Sequence, residues 1–214
     1  MSSIGKRRSA ALRDGTAAYQ KRRKEITDAA IRVFNQVGFR GASMGAVAKQ
    51  LGTDRASLYY YIASKDELFD EIVGEVIREN VSISQRIQKS AASPSDKLHE
   101  LIVTVMTSYG KNYPLMFIYI RENLSHVSKD REKWAQQMQT LNREFEKAVI
   151  SILEQGCADG SFRNLGPAEI VAFGIIGLVN STHRWFKPGR QNVSAEKIGK
   201  IYADLTLTGL ASGK

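Results

Sequence analysis

Apolar residues recur at steps of three and four along most of this chain, the period of helices that bury one face. The first such stretch runs from near Gln20 to Val37 and turns Ile26, Ala30, Val33 and Phe34 inward. A second, short one carries Met44, Val47, Ala48 and Leu51 and closes at Gly52, where a left-handed cap costs glycine least. Asp54 is a good N-cap for a third, from which Leu58 turns back into the core. A fourth begins at Lys65 and carries Leu68, Phe69, Ile72, Val73, Val76 and Ile77 before polarity rises near Asn80.

The same period continues after a break at residues 91–95, where Ser93-Pro94 fits a helix start with proline in first position. Leu98, Ile102, Val105, Met106 and Tyr109 mark a helix ending near Lys111. A short, apolar helix is expected from Leu115 to about His126, and a long one from Asp130 to Cys157. The inner face of the long one is Trp134, Met138, Leu141, Phe145, Val149 and Ile152, with Gly156 and Gly160 closing it and Phe162 in a loop beyond. Two last helices, 167–186 and 194–211, flank Lys187-Pro188-Gly189-Arg190. One shows a line of small residues, Gly174, Gly177 and Ser181; the other is broadly apolar through Ile198, Ile201, Tyr202, Leu205, Leu207 and Leu210. Faces this apolar are costly to leave in water, so a partner surface is expected on this pair. The fold class is all-α.

Within that frame, residues 43–69 have the pattern of a helix-turn-helix, two short helices crossing at a sharp turn. Arg55, Ala56, Ser57, Tyr59 and Tyr61 fall on or near the outward side of its second helix. A forked cation, a methyl and hydroxyls suit base edges and phosphates. Tyr60 is the one tyrosine of the run whose spacing allows an inward, packing role. Charge agrees with this placement. The chain is +9 overall, and residues 1–70 hold 13 Lys/Arg against 7 Asp/Glu, net +6, so the positive charge concentrates where a polyanion would bind. Residues 1–20 read as a disordered basic arm. Arg7, Arg8 and Arg13 with Lys21, Arg22, Arg23 and Lys24 either lie along phosphates or form a solubilising tail.

Residues 24–69, "KEITDAAIRVFNQVGFRGASMGAVAKQLGTDRASLYYYIASKDELF", resemble the DNA-binding domain of the TetR family of bacterial transcriptional regulators. The likeness rests on Ala29, Ala30 and Phe34, the Gly38-Phe39-x-Gly41 turn, the Leu58-Tyr59-x-Tyr61 recognition helix, and Lys65 with Leu68. Ile62, where an aromatic is commoner, and Thr53, usually aliphatic, depart from the pattern. The resemblance implies base-edge contacts from Arg55, Ala56 and Ser57, and phosphate contacts from Tyr59, Tyr61, Ser43 and Lys65. It divides the chain into the arm, a three-helix DNA-binding domain at 21–69 and a helical ligand-binding and dimerisation domain at 70–214. It also implies a homodimer through the last two helices and a palindromic double-stranded operator with half-sites about 34–36 Å apart.

The ending "STHRWFKPG…VSAEKIGKIYADLTLTGL" resembles, more weakly, members that respond to acyl-CoA thioesters or related acids. Met106, Tyr109, Tyr113, Phe117, Trp134, Met138 and Phe145 are candidate lining of an apolar cavity. Arg121, Asn180, His183 and Arg184 are candidate anchors for a polar head. The expected outcome of binding is release from DNA.

Other classes find less support. His99, His126 and His183 lack metal-ligand spacing, and the single cysteine, Cys157, follows Gly156 near a helix end rather than at an activating N-terminus. No catalytic motif, metal site or cofactor is expected. No apolar run is long enough for a membrane span, and none follows Lys6, Arg7 and Arg8 as in a secretory signal, so the expected setting is cytoplasmic. A DNA-binding protein without an effector stays open; a cavity with a polar head-group site in the middle helices is what separates the two.

Overall fold

The computed structural model describes residues 16–121 and 131–211. Arg7, Arg8, Arg13 and His126 lie outside them. The described chain is helical throughout and divides into two compact units, residues 1–73 and 74–214.

In the first unit, α1 (Ala17–Gly41) begins three residues before the expected start, with Thr16 Oγ1 capping it by accepting from Tyr19 N at 3.3 Å. The N-terminal stretch expected as a disordered arm to residue 20 is therefore already helical from Ala17, and Tyr19 is buried. Gly38, at φ 72°, breaks the helix before its last turn, a conformation that a side chain strains. Short α2 (Met44–Leu51) is capped by Ser43 at one end and by left-handed Gly52 at the other. Its buried residues Met44, Val47 and Ala48 face α1, as their spacing requires. Asp54 caps α3 (Arg55–Tyr61), and Leu58 is its buried residue. The core is closed by Ile26, Ala30, Phe34, Ile62, Leu68 and Phe69.

α4 (Lys65–Lys89) belongs to both units and extends well past the expected rise in polarity at Asn80. Val81, Ser84 and Ile87 remain buried, because the Ser84 hydroxyl satisfies itself on Val81 O at 2.8 Å. In the second unit, α5 (Pro94–Lys111) has Ser93 as N-cap and proline in its first turn. α6 (Leu115–Arg121) buries Leu115, Met116 and Tyr119. α7 (Glu132–Ala158) buries Ala135, Met138, Val149, Ile152 and Leu153. α8 (Ala168–Ser181) and α9 (Ala195–Leu210) follow, joined by a 3-10 turn at Thr182–Arg184 and a loop.

α9 packs most extensively on α5. Gly199 permits it: a Cβ there would lie 2.9 Å from Val103 Cα. Phe162, expected in a loop, is a core residue instead. It folds over Gly156, donates its N–H to Gly156 O at 2.8 Å and pairs as an isolated bridge with Ala211.

Candidate nucleic-acid interface and effector cavity

The first turn of α3 presents Arg55, Ala56 and Ser57 to solvent. Asp54 fixes this turn by accepting from Ser57 N at 2.8 Å and from Ser57 Oγ at 2.5 Å. The Ser57 hydroxyl bond, followed by the backbone bond, holds the Asp54 carboxyl below its usual range. One turn on, Tyr59 Oη accepts from Arg55 Nε at 3.0 Å and Nη2 at 2.7 Å, with the guanidinium 5.3 Å from the ring centre. Arg55 is thus held extended along the helix surface beside Tyr59. Ser43 is exposed at the start of α2, its hydroxyl accepting from Ala46 N at 3.2 Å.

Lys65 and Tyr61 sit differently from a freely solvated contact. The Lys65 ammonium donates to Phe39 O at 2.9 Å and Ala42 O at 3.2 Å, 4.7 Å from the Phe39 ring centre. Tyr61 is half-buried with its ring 5.0 Å from that of Tyr19. Tyr60, whose spacing allowed an inward position, is on the surface at 38 % exposure, edge-on to both rings. Arg23 is the clearest departure. Grouped in sequence with the basic arm, it is buried, donates to Tyr61 O at 3.0 Å and pairs with Glu71, whose carboxylate raises its pKa against the opposing effect of burial. Lys21 and Lys24 are the exposed basic residues beside it.

The second unit holds a cavity of about 240 Å³ between α4, α5, α6, α7 and α8. Of the eleven residues expected at a ligand site, Tyr109, Phe145 and Asn180 line it. Met106 and Met138 are fully buried packing residues. Tyr113, Phe117 and His183 form a chain of ring contacts apart from the lining, ending where His183 Nδ1 lies 2.6 Å from Asn180 O. Arg121 stacks on Phe117, Trp134 packs edge-on to Tyr119, and Arg184 is exposed. None of these lines the cavity.

The polar groups that do line it escaped the sequence reading: Asn80 on α4, and Asn142 and Glu146 on α7. Asn142 accepts from Tyr119 Oη at 3.1 Å. The available signal was their spacing: at i and i+4 they share one helix face, beside the apolar stripe through Phe145 and Val149. Tyr109 is buried with its hydroxyl 3.4 Å from Phe186 O. Burial, then the charge of Tyr113, pushes its pKa up to about 12.

Outside these two regions little chemistry is gathered. Among the described residues no group of three or more His, Cys, Asp or Glu side chains is placed to hold a metal ion, and no helix is long and apolar enough to cross a membrane. Cys157 is exposed.

Comparison with known proteins bears on both regions. Residues 26–72 match the family described as bacterial regulatory proteins, tetR family, and residues 91–210 match the tetracyclin repressor-like C-terminal domain. The HTH-type transcriptional repressor KstR2 of Rhodococcus jostii is 28 % identical over 199 residues, 93 % of this chain and 96 % of that one. The solved ketosteroid transcriptional regulator KstR2 of Mycobacterium tuberculosis shares the fold, with TM-score 0.74 and 22 % identity over 90 % of this chain and 96 % of that one. So does the FadR regulator of Bacillus subtilis, solved with stearoyl-CoA, with TM-score 0.69 and 18 % identity over 87 % and 98 %. The C-terminal match alone spans more than half of the chain, and with the helix-turn-helix match it shows that the chain belongs to the TetR family of bacterial transcriptional regulators.

Proposed function

We propose that this regulator is a repressor that binds a palindromic operator as a homodimer and is released by a small hydrophobic effector. The observation that carries the reading is the cavity, since α4 supplies Ile77, Asn80 and Val81 to its wall and also runs into the DNA-binding unit. A ligand that favours one position of α4 then shifts the population between DNA-competent and incompetent states, by its differential affinity, typically about 1–3 kcal/mol. The cavity favours this over a DNA-binding protein without an effector.

At the operator, Arg55, Ala56 and Ser57 meet base edges, while Ser43, Tyr59, Tyr61 and Lys65 meet phosphates. The Lys65 ammonium has three N–H donors, and two of them hold carbonyls of the α1 end. The third is left for a phosphate oxygen.

Dimerisation is assigned to α8 and α9. Ile170, Phe173, Ile201 and Leu205 are each more than half exposed, and a Cβ on Gly174 or Gly177 would meet nothing within 4 Å. Such a face supports a close helix-on-helix approach by a second copy. An acyl-CoA-type effector, implied by the C-terminal resemblance and in keeping with the stearoyl-CoA bound by FadR, would place its acyl part in the cavity and its nucleotide outside.

Gel shift on DNA flanking the protein's own gene, with and without fatty-acyl and aromatic acyl-CoAs and uncharged hydrophobic compounds, tests the reading. A specific complex released by a compound that binds the cavity is expected. A specific complex that no cavity-binding compound releases would leave a DNA reader and remove effector control.

A further inference from the structure

We infer that the effector is a compact apolar molecule bearing a hydrogen-bond-donating head, a hydroxyl or an ammonium, received by Glu146; this rests on the cavity being the effector site. The cavity is polarised. On one side Val105, Ile176 and Val179 also line a narrow, almost wholly apolar void of about 20 Å³ that reaches Leu101 and Val149. On the other side α7 turns in Asn142 and Glu146, one turn apart, with Asn80 of α4.

Glu146 is the one carboxylate among the described lining residues, which include no lysine, arginine or histidine. It is half-buried and makes no hydrogen bond or ion pair with any described residue. A carboxylate placed so, in a largely apolar space, is stabilised by a donor and above all by a cation. A second carboxylate brought beside it is repelled, and no lining cation offsets the repulsion. Asn142 is oriented by Tyr119, which donates to its Oδ1. Its amide nitrogen is left as a donor, so the wall can both give and accept at the head.

Size points the same way. At about 240 Å³ the space lies below the ~300–1,000 Å³ usual for drug-sized ligands. It suits a small cage or ring skeleton, and a nucleotide does not fit within it. The anchors expected for an anionic head, Arg121, His183 and Arg184, are absent from the wall.

Three probes with one skeleton isolate the head: adamantylamine, adamantanol and adamantane carboxylate, titrated calorimetrically into the full chain at neutral pH, with decanoyl-CoA as a fourth. The amine and the alcohol are expected to bind, and the carboxylate about tenfold or more weaker than the amine, ~1.4 kcal/mol. In Glu146→Gln the amine should fall to the level of the alcohol while the alcohol itself changes little, which serves as the check that the variant is folded. Carboxylate binding equal to the amine, an unchanged ranking in Glu146→Gln, or binding by decanoyl-CoA alone would each overturn the assignment. So would binding by none of the four. Operator release is scored separately. Glu146-dependent amine binding that leaves the operator complex intact keeps the head-group assignment and removes effector control; release by decanoyl-CoA alone does the reverse.

Discussion

Arg23 donates to the carbonyl oxygen of Tyr61 at 3.0 Å, joining the buried side of α1 to the last residue of the recognition helix. The same guanidinium pairs with Glu71 on α4. Three helices of the DNA-binding unit thus meet on one forked cation, which a lysine cannot reproduce because its ammonium is a single point. The side chain is nearly buried while Glu71 is about a third exposed, so water partly screens the pair.

Arg23→Ala should therefore destabilise the unit by about 1–3 kcal/mol, the range for a charged hydrogen bond lost with its partner left behind. Arg23→Lys should recover only part of this. Thermal unfolding measures both. An Arg23→Ala protein that melts with the parent would show that the contact holds nothing.

Lys65 carries two roles that can be separated. Its bonds to Phe39 O and Ala42 O predict a lower melting temperature for Lys65→Gln. The third N–H predicts that the slope of log affinity for the operator against log salt becomes shallower by about 0.9, one phosphate contact. A lower melting temperature with an unchanged slope would leave Lys65 as a structural residue only.

The fold was largely legible in the sequence because helix period, caps and breaks are local signals. Ser43, Gly52, Asp54 and Ser93 act where their residue types predict. What local signals cannot carry is the identity of a distant partner. Arg23 reads as one more basic residue until Glu71 and Tyr61 are brought beside it, 48 and 38 positions away. Phe162 reads as loop until Gly156 leaves room beneath it. The cavity shows the same limit. Large aromatic and flexible side chains were expected to line it, yet Met106 and Met138 fill the core instead, since large apolar groups gain most by complete burial. The polar lining at Asn80, Asn142 and Glu146 lay beside an apolar stripe, where a sequence gives no sign of which side faces a void.

The exposed face of α8 and α9 makes assembly testable. Leu205, at 62 % exposure, and Ile170, at 68 %, are large apolar side chains in water in the single chain. Leu205→Glu together with Ile170→Glu should convert a dimer to a monomer in sedimentation analysis. Operator affinity should fall with it, because two half-sites would no longer be engaged together. A double variant that still sediments as a dimer would place the interface elsewhere.

Close packing of α9 on α5 gives a sharper mutational contrast. A Cβ at Gly199 would sit 2.9 Å from Val103 Cα, a backbone atom that cannot rotate away. Gly199→Ala should cost about 1–3 kcal/mol, the range for overpacking. Gly209 lies in the same helix with nothing within 4 Å of an added Cβ, so Gly209→Ala should be neutral or stabilising by up to about 1 kcal/mol. Equal effects of the two on denaturant midpoints would contradict the close approach.

Tyr109 makes a prediction about alkaline pH. Its hydroxyl is buried at the cavity, and its pKa is pushed up from 10.0 to about 12 by burial first and by Tyr113 second. Between those values the unfolded chain has released this proton and the folded chain still holds it, so folding is linked to proton retention. The contribution is complete below pH 10 and is lost as pH rises through the folded value of about 12. Stability should therefore fall across this window more steeply in the parent than in Tyr109→Phe. In phenolate absorbance the variant should lack the latest-titrating tyrosine. Matching alkaline denaturation curves for the two proteins would show that Tyr109 titrates like a solvated phenol.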